Sequence, residues 1–173
     1  MPDIQRIEIL ACDDWSGLRD IRLSALLDSP NSFLATHEQE SGYSEQRWRT
    51  ELARGHWHVG LVHGKQVSLV GATREPGRPA YERFLEYLWV SPGSRGQGVG
   101  FRFFDLVLGR LQAAGVRTAF LWVLDGNDVA VRLYRKAGFE PVGQPVPLTA
   151  RPGRSEQLFR LDLTGRRWRL NHR

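Results

Sequence analysis

The chain has 173 residues, 41% of them hydrophobic and 25% charged, with a formal net charge of +5 and one cysteine. This length and composition predict a single folded domain and exclude a disordered chain. The longest apolar run, residues 119–124, is too short to cross a membrane. The first residues lack the apolar core of a signal peptide, and Cys12 alone forms no intrachain disulfide, so we expect a cytoplasmic protein.

Much of the positive charge lies in the last nine residues, GRRWRLNHR. Removing their four Arg lowers the net charge from +5 to +1. We interpret residues 1–164 as one domain and residues 165–173 as a basic tail, because chain termini are commonly solvated. Nucleic acid is therefore not expected as a partner. An arm that binds nucleic acid or another anionic partner remains the alternative.

The first half of the chain is predicted to place two helices before three strands. A strand at 4–11 is followed by a helix that begins at Asp13 or Asp14 as N-cap and ends near Leu27. A loop then reaches Tyr43, and Ser44 opens a short helix. Strands are predicted at 56–62, 66–74 and 81–90, the first two as a hairpin.

The second half is predicted to alternate helices with strands. A helix runs from about Val99 to Ala114, and the strand at 118–124 lacks the polar alternation of an exposed strand, which indicates burial on both faces. A second helix spans about 128–137, and strands at 139–142 and 157–163 close the domain. The chain is a single α/β (α+β) domain without internal repeats.

The segment SPGSRGQGVG, residues 91–100, joins a predicted strand to a predicted helix. Such a junction directs unpaired backbone N–H groups and the positive end of a helix dipole at one place, where an anion binds, and Arg95 adds a positive charge. The phosphate loop of nucleotide hydrolases is excluded, because Val99 and Gly100 stand where Lys and Ser or Thr are required. The dinucleotide fingerprint is excluded as well, because Phe101 or Phe103 replaces its last glycine, although Asp125 would suit a ribose.

A third pattern, [QR]-x-x-G-x-[GA], is matched at every fixed position by Arg95-Gly96-Gln97-Gly98-Val99-Gly100. It is preceded by Leu88-Trp89-Val90-Ser91-Pro92 and followed by Asn127-x-x-Ala130-x-x-Leu133-Tyr134-x-Lys136-x-Gly138-Phe139. Together these stretches resemble the GCN5-related N-acetyltransferase (GNAT) family, most strongly over residues 81–142. The resemblance implies a central, mixed, mostly antiparallel seven-stranded sheet, splayed between strands 4 and 5 and flanked by about four helices.

The resemblance also implies an activity, the transfer of an acetyl group from acetyl-coenzyme A to a primary amine by direct attack in a ternary complex. Backbone N–H groups of 97–101 would meet the pyrophosphate, and main-chain groups of 88–90 would stabilise the oxyanion. A tight turn without a ligand is the alternative for the glycine segment. The implied cofactor-binding residues are Leu88, Trp89, Val90, Arg95, Gly96, Gln97, Gly98, Val99, Gly100, Phe101, Asn127, Ala130 and Tyr134.

Two side chains are candidates for proton transfer. Tyr134 matches a tyrosine that the family uses as general acid, and a phenol with an ordinary pKa of about 10 is protonated at pH 7. Its alternative role is to pack against the cofactor. Glu86 is the candidate base, because period-2 alternation places it on one face with Leu88 and Val90. Its alternatives are substrate binding or an ion pair with an arginine.

In the family, the acceptor is chosen by two loops, here residues 29–43 and 144–155. The first contains Glu38 and Glu40, which suit an amine, and the second contains Arg151 and Arg154, which suit a carboxylate. We favour a small-molecule amine. A protein lysine or N-terminal acetyltransferase, which needs an open groove between these loops, and a non-catalytic acyl-coenzyme A-binding module are the alternatives.

The sequence is less informative about a metal site and about the oligomeric state. His56 and His58 alternate along one strand, but no cluster of acids or cysteines accompanies them, so no metal site is expected. Homodimers are frequent in the family, and no feature of this sequence decides the oligomeric state.

Overall fold

The structure is a computed structural model that describes residue 4 and residues 6–149 and 151–166. The basic tail beyond residue 166 lies outside the described residues. The strands are β1 Arg6–Ile9, β2 Gly55–Val62, β3 Lys65–Thr73, β4 Glu82–Val90, β5 Thr118–Leu124, β6 Glu140–Pro147 and β7 Ser155–Asp162. The helices are α1 Trp15–Asp28, α2 His37–Ser41, α3 Glu45–Ala53, α4 Val99–Ala113 and α5 Asp128–Lys136. Within the described ranges, no helix is both long and apolar enough to pass through a bilayer.

The seven strands form one sheet in the order β1-β2-β3-β4-β5-β7-β6. Every neighbouring pair is antiparallel except β4 and β5, which are parallel. The predicted mixed seven-stranded sheet is therefore confirmed. The helices differ in one respect, since α2 lies within the predicted loop 29–43. It begins with a capping box, in which Thr36 and Gln39 each bond the other's backbone N–H.

The sheet is splayed between β4 and β5, as the family resemblance implied. β4 and β5 pair only through Glu82–Phe84 opposite Thr118–Phe120, and beyond these three pairs the two strands separate. A bulge lies in the separated part of β4. Gly71 of β3 stands opposite Glu86 and Leu69 opposite Trp89, so β4 holds one residue more than β3. Within the bulge, Tyr87 has a φ of 58°.

The bulge reverses the alternation of side chains along β4. Leu85 and Leu88 pack into the core beneath α4, whereas Tyr87 and Trp89 pack into the core beneath α1 and α3. Strict alternation would place residues 85, 87 and 89 on one face. The prediction that Glu86 shares a face with Leu88 and Val90 is therefore wrong. Glu86 lies on the α1–α3 side, where its carboxylate is 3.8 Å from the Arg54 guanidinium.

A buried ion pair joins the bulge to the α1–α2 region. Arg22 of α1 and Glu40 of α2 are only 2% and 1% exposed, and they bond to each other through two guanidinium nitrogens. The Arg22 guanidinium also lies 3.5 Å from the centroid of the Tyr87 ring. A buried charge requires such a partner, because unpaired it would lose its hydration without compensation. The pair therefore fixes α2 and the bulge relative to α1.

Candidate active site

The start of α4 lacks the capping side chain that the other helices have. Four of the five described helices have an N-terminal capping side chain, namely Asp14, Thr36, Ser44 and Asn127. α4 has Gly98 instead, with no side-chain cap and no acid in its first turn. The first bond of the helix runs from the Arg102 N–H to the Gly98 carbonyl, so the preceding N–H groups of residues 99–101 have no acceptor within the helix. Such N–H groups bind phosphate well.

Two glycines make this junction possible for different reasons. Gly98 has a φ of 77°, a left-handed conformation that glycine adopts without strain. Gly100 has an ordinary backbone, but a Cβ there would stand 3.2 Å from Val90 Cγ2. Its lack of a side chain lets the first turn of α4 lie close against the end of β4.

A cleft of about 580 Å³, here called the loop cleft, opens beside this junction, between the end of β4 and one face of α5. All but two of the thirteen predicted cofactor-binding residues line it. These are Leu88, Trp89, Val90, Arg95, Gly96, Gly98, Gly100, Phe101, Asn127, Ala130 and Tyr134. Gln97 is exposed and the Val99 side chain is buried in the core, so their predicted role rests on their backbone N–H groups alone.

Arg95 lines the loop cleft but is bonded to the end of α1. Its guanidinium forms an ion pair with Asp28, and its Nε donates to the Val90 carbonyl at 2.8 Å. The same Asp28 carboxylate accepts a bond from Trp89 Nε1 at 2.9 Å. The positive charge predicted at this position is therefore largely offset, and Arg95 holds the glycine loop to α1.

The loop cleft is also lined by two cations that the sequence analysis did not assign to the cofactor site. Arg132 and Lys136 lie one turn apart on α5, and Lys136 Nζ is 4.3 Å from the centroid of the Phe101 ring. The sequence signal for them was the i, i+4 spacing on the helix that carries Tyr134. Among the described residues that line this cleft, there is no Asp or Glu.

A second cleft, here called the splay cleft, lies where β4 and β5 separate and has a volume of about 650 Å³. Its charged lining differs from that of the loop cleft, with the carboxylates Glu75, Glu86 and Glu156 and the guanidinium groups Arg54 and Arg74. Arg54 is engaged, since its Nη1 donates to Glu51 Oε2 at 2.9 Å. Burial raises the pKa of Glu156 above its ordinary value.

Glu86 lines the splay cleft from the wall of β4. Its Oε1 lies 3.8 Å from Arg54 Nη2, is buried, and accepts no hydrogen bond from the residues that the structure describes. Burial raises the pKa of Glu86 more than the neighbouring Arg54 and Arg22 lower it. The carboxylate is thus close to a guanidinium without being neutralised in a tight pair.

The two clefts meet at one place in the fold. They share the lining residues Ser32, Phe33, Leu88, Asn127, Ala130 and Tyr134. Tyr134 is held there by ring contacts with Phe104 and Phe139, at centroid distances of 5.5 and 6.0 Å. Burial raises its pKa well above the ordinary value of a phenol. The hydroxyl of Tyr134 therefore stays protonated across the neutral pH range.

The two loops expected to select an acceptor are connected to each other. Arg151 Nη2 donates to the Leu34 carbonyl at 2.9 Å, which bridges the loops beside the splay cleft. Arg154 is paired with Asp125 at 2.6 Å, and Glu40 is buried against Arg22. Three of the four charges that the sequence offered for acceptor binding are therefore engaged with other residues of the chain. Glu38 is exposed and is not among the residues that line the splay cleft.

The histidines do not form a metal centre in the part of the chain that the structure covers, where no group of three His, Cys, Asp or Glu residues suits an ion. His58 is buried instead, and burial together with Arg110 and His56 lowers its pKa to about 4.

The amino-acid sequence is similar to those of known acetyltransferases. The chain is 27% identical over 159 residues to a mycothiol acetyltransferase of Propionibacterium freudenreichii, an alignment that covers 90% of this chain and 50% of that protein. It is 36% identical over 95 residues to the N-alpha-acetyltransferase RimI of Mycobacterium tuberculosis, covering 54% of this chain and 58% of the relative. The chain thus spans about half the length of the curated relatives that it matches.

The fold has solved counterparts. The yncA protein of Salmonella typhimurium, described as an acetyltransferase with its cofactor acetyl-CoA, superposes with a TM-score of 0.73 at 15% identity, covering 94% of this chain and 96% of that one. The model of the acetyltransferase (GNAT) family matches residues 20–139, which include the glycine loop, the splayed strands and Tyr134. The chain belongs to the acetyltransferase (GNAT) family.

Proposed function

We propose that the protein transfers the acetyl group of acetyl-coenzyme A to a primary amine of a small molecule. The observation that carries this proposal is the meeting of two clefts of different charge at Tyr134. The loop cleft has cations and no described acid, which suits a phosphorylated cofactor. The splay cleft has three carboxylates, which suit an amine that arrives protonated.

The cofactor would lie in the loop cleft with its pyrophosphate at the N–H groups of residues 99–101 and its acyl end at the junction. The separated edges of β4 and β5 give the acyl arm a path between the strands. The fold likeness to a structure described with acetyl-CoA supports this placement.

The reaction needs three proton transfers, two from the acceptor nitrogen and one to the sulfur. The acceptor ammonium gives a proton to Glu86, directly or through water, and the neutral nitrogen attacks the thioester carbonyl. Main-chain N–H groups within 88–90 stabilise the resulting oxyanion, an interaction whose loss costs about 10²–10³ in rate. The carbon–sulfur bond then breaks, and Tyr134 protonates the departing thiolate. The nitrogen gives its second proton to the resulting tyrosinate, directly or through water, which leaves the neutral amide and restores the phenol. The position of Tyr134 at the junction of the two clefts, where Phe104 and Phe139 hold its ring, supports its role as donor.

A small acceptor is favoured by the bridge between the loops. A protein substrate would need an open groove, and the Arg151–Leu34 hydrogen bond crosses that region. The likeness to an N-alpha-acetyltransferase supports the second candidate, acetylation of a protein N-terminus.

Thermal unfolding tests the cofactor first, with acetyl-coenzyme A, NAD and ATP measured in parallel. A ligand present at about 100 times its dissociation constant adds about 2.7 kcal/mol, which raises the Tm of a chain of this size by about 5–11 °C. We expect this rise with acetyl-coenzyme A alone. A flat response, or a larger rise with NAD, would show that the glycine loop has been misinterpreted.

The acceptor class is then tested by thiol release from acetyl-coenzyme A. Small primary amines are compared with peptides that carry a free N-terminus, at equal concentration. Release with amines but not with peptides supports the proposal. Release only with peptides would favour the second candidate and overturn the small-molecule assignment.

A further inference from the structure

One edge of α5 bears basic groups that the proposed acetyl transfer does not use. Val129, Arg132 and Lys136 follow one another at spacings of three and four residues, so they lie along one strip of the helix. All three line the loop cleft, and all three are exposed, Val129 by 70%. The strip is therefore the solvent-facing rim of the cleft, whereas Ala130 and Tyr134 occupy its inner side.

The positive charges of Arg132 and Lys136 are not offset by an ion pair with a described residue. Among the described residues, neither has a carboxylate at ion-pair distance, and Lys136 is positioned by its contact with the Phe101 ring. Arg95, the other cation of the cleft, is paired with Asp28. The positive charge of the loop cleft is thus concentrated at its rim.

The cofactor carries a group of matching chemistry. Its pyrophosphate suits the backbone N–H groups of the glycine loop, which bear only partial charge. The remaining phosphate, on the 3′ position of the ribose, is a monoester with a charge of about −1.5 to −2 at pH 7. A guanidinium binds such a group through two parallel hydrogen bonds, and an ammonium adds a point charge.

We propose that Arg132 and Lys136 form a subsite for the 3′-phosphate of coenzyme A, through which the protein selects the intact cofactor over its 3′-dephospho form. The inference rests on the proposed function, which places the cofactor in the loop cleft. It also assigns a purpose to the absence of described acids along that cleft, because a carboxylate at the rim would repel the phosphate.

Equilibrium binding of coenzyme A and 3′-dephospho-coenzyme A to the full chain, measured by calorimetry without an acceptor, tests the subsite. The wild type should bind coenzyme A at least about tenfold more tightly. The Arg132→Gln/Lys136→Gln double variant should bind both compounds equally, at the affinity that the wild type has for the dephospho form. Arg135→Gln is the matched control, since Arg135 lies on the same helix but lines a different cleft, beside β5 and β6.

Each possible result either supports or overturns the proposed 3′-phosphate subsite. Equal affinities in the wild type would overturn it, and so would a preference that survives in the double variant. Loss of the preference in the Arg135→Gln control as well would assign the effect to general charge rather than to the rim, and would also overturn it. Binding of neither compound by the wild type would overturn the proposed cofactor, and the subsite with it. A preference lost only in the double variant, with an unchanged Tm of the free protein, supports the proposal.

Discussion

Tyr134 is the residue on which the proposed chemistry depends most directly, and its hydroxyl can be removed without disturbing its packing. The ring contacts with Phe104 and Phe139 do not involve the oxygen. Tyr134→Phe should therefore lower kcat more than about tenfold and leave the dissociation constant of acetyl-coenzyme A nearly unchanged. Steady-state kinetics and calorimetry on the same preparations check this. Equal kcat in variant and wild type would exclude Tyr134 as the acid.

The proposed role of Glu86 as base predicts how kcat/KM depends on pH. A base acts only when deprotonated, and burial raises the pKa of this carboxyl, so kcat/KM should fall as the pH drops through a value above the ordinary pKa of glutamate. Glu86→Gln should lower kcat/KM at least about tenfold and remove this acidic limb. Glu82→Gln is the control, because Glu82 lies on the same strand, is paired with Arg78 at 2.9 Å and does not line the splay cleft. A limb that persists in Glu86→Gln would assign the base elsewhere.

At the scale of elements, the Arg22–Glu40 pair holds α1, α2 and the β4 bulge together. Arg22→Met would leave the Glu40 carboxylate buried and unpaired, which typically costs about 3–5 kcal/mol. The double variant Arg22→Met/Glu40→Leu removes both charges and should recover much of that loss. Urea unfolding of the two variants measures the difference. A double variant no more stable than the single one would show that the pair acts through packing rather than charge.

The elements also show how far the sequence alone can lead. α4 begins at Val99 as predicted, since the glycine junction and the apolar spacing are local signals. The sequence did not predict the bulge, because the residue with a positive φ there is Tyr87 and not a glycine, which would have indicated it. That one extra residue moved Glu86 to the opposite face. The Arg95–Asp28 pair was missed for another reason, as its partners are 67 residues apart and no local pattern connects them.

At the scale of the whole molecule, His58 makes stability depend on pH. Its pKa is about 4 in the fold against an ordinary value near 6.5, so above pH 6.5 it is neutral in both states and contributes nothing. Below pH 6.5 His58 binds a proton in the unfolded chain but stays neutral in the folded one. The free energy of unfolding should therefore fall by about 2 kcal/mol between pH 7 and pH 5.

Comparison with variants isolates this effect. In His58→Gln the part of the pH dependence that is due to this group should disappear. His56→Gln, at an exposed position on the same strand, should retain most of it, because burial is the largest cause of the lowered His58 pKa and His56 a smaller one. Urea unfolding of the wild type and the two variants at pH 7 and pH 5 gives the three differences required. Identical pH dependence in His58→Gln and the wild type would show that other groups govern acid unfolding.

The contrast in charge between the two clefts has a kinetic consequence. An amine that enters the loop cleft meets Arg132 and Lys136 and no described acid. A polyphosphate that enters the splay cleft meets three carboxylates against two guanidinium groups. Like charges at close range are unfavourable, so each substrate is discouraged from occupying the other's place. Dead-end complexes should accordingly be scarce. The rate should level off at high concentration of either substrate instead of declining.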